Sequence, residues 1–123
     1  MVNRRLVVKI AGESDRPERM QTGLSVAAAA GAAGIGTALW LAGDAVWLAT
    51  RPDAKPSGVR PSIPAETSAL FGAARETADL AVCARCAGRR GIEDGHLIDG
   101  AAIAGAAAFA AAVTEPGVQA LIY

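Results

Sequence analysis

Short apolar runs along this chain alternate with stretches in which small apolar residues recur at helical spacing. Leu6 to Ile10 is apolar except for Lys9 and predicts a buried strand. Ala11 to Asp15 is a polar turn containing Gly12. Pro17 suits the first turn of a helix, with Ser14 or Asp15 as its N-cap. That helix runs through Met20, Leu24 and Ala27 to about Ala30, where Gly31 can end it. Ile35 to Ala42 predicts a second strand, Gly43-Asp44 a turn, and Ala45 to Thr50 a short helix carrying Trp47. Arg51 to Pro64 holds four of the six prolines and predicts a surface loop. Ala65 to Thr77 predicts a helix, Asp79 to Cys83 a third strand, and Ala84 to Arg90 a helix ended by Gly91. Asp99 to Ile103 is a further short strand and Ala104 to Val113 a helix. Glu115-Pro116-Gly117 breaks that helix before a last strand, Val118 to Tyr123.

Strand alternating with helix predicts an α/β fold, with a mostly parallel sheet and helices on both faces. With 123 residues the chain makes one domain, spanning 1–123. Right-handed crossovers put the loops that follow the strands on one edge, and ligands in such sheets sit there. If strands one and three are neighbours, Cys83 lies beside the Ala11–Asp15 loop, which makes Gly12 a candidate anion-binding position.

Charge and composition narrow the function. There are 12 basic and 12 acidic residues, so no net charge steers the protein to nucleic acid or an acidic membrane. Asn3-Arg4-Arg5 is followed by an apolar run too short for a signal-peptide core. Gly23 to Gly43 is uncharged and long enough to span a bilayer. It is mostly Ala and Gly, however, and divides at Gly31-Ala32-Ala33-Gly34, so a buried helix, turn and strand is expected. A cytoplasmic location follows as an expectation. Two cysteines are too few for a disulfide scaffold.

The concentrated chemistry is Cys83-Ala84-Arg85-Cys86. A thiolate is the reactive form of cysteine, and nearby cations and helix N-termini favour it. Cys83 falls where a strand gives way to a helix, Arg85 follows by two residues, and Arg89 and Arg90 lie further along. Cys86 is one helical turn on, so the two sulfurs can face each other. The pattern suits a nucleophile that accepts sulfur, or a dithiol that oxidises. Two cysteines that merely pack are the alternative. Metal binding by Cys83, Cys86 and His96, with Asp94 or Asp99, lacks the second paired motif that structural zinc shows. No metal and no cofactor are expected. Gly31-x-x-Gly34-x-Gly36 precedes a strand where a dinucleotide fingerprint follows one, and no phosphate loop or Ser-His-Asp set exists. Of the two tryptophans, Trp47 has the better claim to line a pocket and Trp40 to lie in the core or a lid.

The segment Leu80-Ala81-Val82-Cys83 to Arg89-Arg90-Gly91-Ile92 resembles the cysteine region of the DsrE/DsrF/TusD family. So does Thr37-Ala38-Leu39-Trp40-Leu41-Ala42-Gly43-Asp44-Ala45-Val46-Trp47, and the likeness covers nearly the whole chain. The resemblance implies a three-layer α/β sandwich of flavodoxin-like winding, and assembly as a homotrimer or hexamer. It also implies relay of persulfide sulfur on Cys83 between a donor and an acceptor protein. Cys86 is not shared with the sulfur-relay members. The leading expectation is therefore a sulfur carrier or sulfurtransferase-like protein with Cys83 as nucleophile and Arg85 and Arg89 in support. A Cys83–Cys86 redox module and a non-catalytic binding domain are the alternatives.

Overall fold

The computed structural model describes residues 4–123; Asn3 of the basic N-terminal trio lies outside them. Five strands form one fully parallel sheet: β1 (Arg5–Gly12), β2 (Gly36–Gly43), β3 (Asp79–Cys83), β4 (Ala101–Ala104) and β5 (Val118–Ile122). The helices between them are α1 (Pro17–Ala32), α2 (Ala65–Arg75), α3 (Ala84–Arg89) and α4 (Ala106–Val113). The expected helix after β2 is a 3-10 turn, Asp44–Ala49, and a second one covers Asp94–His96.

The strand order is β4-β3-β2-β1-β5. The winding reverses once, as in a flavodoxin-like sheet, but after the fourth strand and not the second. Strands one and three are therefore not neighbours, because β2 separates them. Right-handed crossovers send α1, α2 and α3 to one face and α4 alone to the other. The first face holds the core. Val8, Ile10, Leu39, Leu41 and Val82 pack there against Met20, Leu24, Phe71 and Ala87. The second face is thinner, since α4 is short and has no buried residue. No helix among the described residues is long and apolar enough to cross a membrane. The uncharged stretch Gly23–Gly43 is the expected helix, turn and strand.

Several boundaries differ from the sequence reading for local reasons. Neither Ser14 nor Asp15 caps α1, whose N-cap is Arg16 with Pro17 following. A tight turn closes first, with Arg16 N–H bonded to the Glu13 carbonyl at 3.1 Å, and Ser14 gives its N–H to Asp44 at 2.9 Å. Gly31 stays inside α1, where Thr77 packs against it and leaves no room for a side chain. The left-handed residue is Gly34, with φ of +81°, and the bonds Ile35 N–H to Ala30 and Gly34 N–H to Gly31 complete a Schellman close. Gly91 ends α3 in the same way, at φ +66°, as expected. Asp99-Gly100 is a turn with Gly100 at φ +86°, so β4 starts at Ala101. Gly105 then separates strand from helix as the N-cap of α4.

Candidate functional site

Side chains alternate across a strand, and the register fixes who shares a face. Lys9 pairs with Trp40, Trp40 with Ala81, and Ala81 with Ala102; one step further, Cys83 pairs with Ala104. Lys9, Trp40, Ala81 and Cys83 therefore project on the thin face. The chain leaving β3 goes to α3 on one side of the sheet, and the chain leaving β4 goes to α4 on the other. A crevice must open between the carboxyl ends of β3 and β4, the place where doubly wound sheets bind ligands. Cys83 is the last residue of β3, at the mouth of that crevice.

A cleft of about 420 Å³ occupies the crevice, with Cys83 and Arg85 on one rim and Ala104 to Ala106 on the other. Trp40, Lys9 and Phe109 close its inner side. The Phe109 ring meets Trp40 edge-on, with centroids 5.1 Å apart, and the Lys9 ammonium sits 4.7 Å from the Phe109 centroid. Such a cation–ring contact is worth about 0.5–1 kcal/mol at a part-exposed site. Its main effect here is to fix a positive charge beside the cysteine.

The two thiols are free and part-buried, and each influences the ionisation of the other. Burial opposes ionisation of Cys83. The N–H of Cys86, the Cys86 thiol, the N–H of Arg85 and the Lys9 charge outweigh it, so the Cys83 pKa is lowered. Burial pushes the Cys86 thiol up, and its donation to Cys83 adds to this against a backbone bond from Gly43 and the charge of Arg90. Cys83 is thus the more readily ionised thiol of the pair.

The frame behind the pair is rigid. Gly43 has φ of +58°, and a Cβ there would lie 2.5 Å from the Gly12 carbonyl oxygen. Next to it, Asp44 accepts from Arg90 at 3.0 Å and from Ser14 N–H at 2.9 Å, and Arg90 also donates to the Cys86 carbonyl at 3.0 Å. Partial burial works against the Asp44 charge, but these donors outweigh it and its pKa is lowered. The β1 and β2 loops and the end of α3 are thereby tied to one carboxylate.

Four expectations need restating. Gly12 is buried under Met20 and beside Gly43, which accounts for a glycine by packing; it does not line the cleft. Trp47 is 2% exposed in the core, with Arg60 over its ring at 5.1 Å, and it borders a separate pocket of about 360 Å³ with Arg60 and Phe71, not the Cys83 cleft. The cleft is lined by Trp40 instead. Arg85 reaches Cys83 through its backbone N–H, and Arg89 is absent from the cleft lining; the cation acting on Cys83 is Lys9. Lys9 interrupts an apolar strand in a parallel sheet, where both faces are normally covered, and that was the signal available in the sequence. His96 accepts the Glu93 N–H at 2.9 Å, and among the described residues no three His, Cys, Asp or Glu side chains gather as a metal set.

A profile of the DsrE/DsrF-like family matches residues 6–121. The chain belongs to the DsrE/DsrF-like family. No curated protein matches it. Among solved structures it is similar to the crystal structure of the YchN protein from E. coli, with a TM-score of 0.74 and 18% identity over 98% of this chain and 99% of that one. At that identity the likeness establishes the DsrE-like fold.

Proposed function

We propose that this DsrE-family chain is a sulfur carrier, with Cys83 as the residue that holds the sulfur. The observation that carries the reading is a lowered-pKa cysteine opening on the cleft between β3 and β4. The Cys83 thiolate attacks the outer sulfur of a sulfane donor, written in its simplest form as a persulfide, R–S–SH. Cys83 becomes Cys–S–SH and the donor leaves as the thiolate R–S⁻. An acceptor thiolate then attacks that outer sulfur, becomes a persulfide, and returns Cys83 as thiolate. Bonds and charge balance in both steps, and no oxidant is needed. Family membership supports a sulfur-relay role and self-assembly, with a trimer or a pair of trimers as the proposed form.

The mutual influence of the two thiols on each other's ionisation favours one other reading, a dithiol that cycles to a Cys83–Cys86 disulfide. Mass spectrometry separates the two. Incubation with a persulfide donor under the carrier reading adds about 32 Da per chain, and mild oxidant under the redox reading removes about 2 Da. A chain unchanged by either treatment overturns both.

A further inference from the structure

We propose that the donor served by the Cys83 cleft is a small organic thiosulfonate, R–SO2–S⁻ with an apolar or aromatic R. This rests on the sulfur-carrier reading and names its substrate class. Three features of the cleft point the same way. Its ionisable lining beside Cys83 consists of Lys9 and Arg85, with no carboxylate, so it favours an anion. Among the described residues Lys9 has no acidic partner, and its ammonium is held only against the Phe109 ring. The remaining walls are Trp40, Phe109 and alanines, which an inorganic anion cannot cover. At about 420 Å³ the space falls in the range that small molecules occupy. An apolar body against Trp40 and Phe109, with its anionic end toward Lys9 and Arg85, brings a sulfane sulfur to Cys83.

The step is a simple displacement. The Cys83 thiolate attacks the terminal sulfur, and the bond between that sulfur and the sulfonyl sulfur breaks. The electron pair leaves with the sulfinate, R–SO2⁻, and Cys83 is left as Cys–S–S⁻. Two negative charges enter and two leave.

Benzenesulfonate, which has the same body and charge but no sulfane sulfur, tests the binding without the chemistry. Titration into the whole protein should quench Trp40 fluorescence saturably, over a constant background from the buried Trp47. Lys9→Gln and Phe109→Leu should each weaken binding by about tenfold, as expected for loss of one charge or one wall. Circular dichroism checks that both variants fold, and Arg85→Gln provides a further variant on the exposed rim. In the second arm, benzenethiosulfonate should load Cys83 at least about tenfold faster than thiosulfate at equal concentration. Absence of saturable binding, wild-type affinity in folded Lys9→Gln, or equal loading by thiosulfate overturns the assignment. Binding of benzenesulfonate with no loading by any sulfane donor overturns the sulfur-carrier reading, and the donor assignment with it.

Discussion

At the scale of single residues, the account depends on which group polarises Cys83. The cysteine and its place at a strand end could be read from Asp79–Cys83 followed by a short helix. Lys9 was visible as the odd charge in an apolar strand, but its pairing with Cys83 was not, because Lys9 is distant in sequence and meets Cys83 only through the parallel register of three strands. Of the two arginines near in sequence, Arg85 lines the cleft and supports Cys83 through its N–H, whereas Arg89 does not line it. The Lys9 assignment has a pH signature. Because the Cys83 pKa is lowered, its alkylation by iodoacetamide should reach half-maximal rate at a lower pH than that of an ordinary thiol. Lys9→Gln should move that midpoint upward, toward the ordinary value, while Arg89→Gln leaves it in place. A midpoint that ignores Lys9 would remove the lysine from the site.

At the scale of elements, the strands and helices were legible and their exact ends were not, since turns such as Glu13–Arg16 and Asp99-Gly100 form before the periodic pattern begins. The connection that matters most joins the β2 end to α3 through Asp44 and Arg90, whose side chains are 24% and 25% exposed. Asp44→Ala should cost about 2 kcal/mol in urea unfolding at pH 7, because it strands a part-buried guanidinium. The pKa of Asp44 is lowered in the folded state, so its contribution is complete above its unfolded value of about 3.9 and is lost as pH falls through the lower folded one. The wild type and Asp44→Asn should therefore converge in stability in acid and diverge toward neutrality. A gap that stays constant with pH would mean the ion pair is not its source. Glycines offer a matched comparison. Gly34 has open space around a φ of +81°, so Gly34→Ala should cost about 1 kcal/mol from backbone strain alone. Gly43→Ala meets both strain and the Gly12 carbonyl and should cost about 2–3 kcal/mol or more. Equal costs in thermal unfolding would contradict the close approach of the two strand ends.

At the scale of the whole molecule, the α/β class followed from the alternation of elements, but the location of the crevice did not. Strand order is a property of long-range pairing, and nothing local in Val118–Ile122 says that it returns beside β1 and not beyond β4. That choice puts α4 alone on its face and places the open crevice at Cys83. It also leaves apolar surface uncovered: most alanines of α4 are exposed and Ile122 is 67% exposed. The proline-rich segment 51–64, by contrast, is tied to its own chain, with Arg60 donating to Arg51 at 2.7 Å and Gly58 N–H to Arg90 at 2.9 Å. The predicted self-association therefore belongs to the α4 and β5 side. Light scattering at micromolar concentration should give a multiple of 12.4 kDa, and Ile122→Lys should lower it. A mass of one chain that does not change on concentration would rule the assembly out. The central claim, that Cys83 carries sulfur, is tested most directly by intact mass after exposure to a persulfide donor in Cys83→Ser and Cys86→Ser. The account predicts a gain of about 32 Da in Cys86→Ser and none in folded Cys83→Ser. A gain that survives in Cys83→Ser, or is absent from Cys86→Ser, would contradict it.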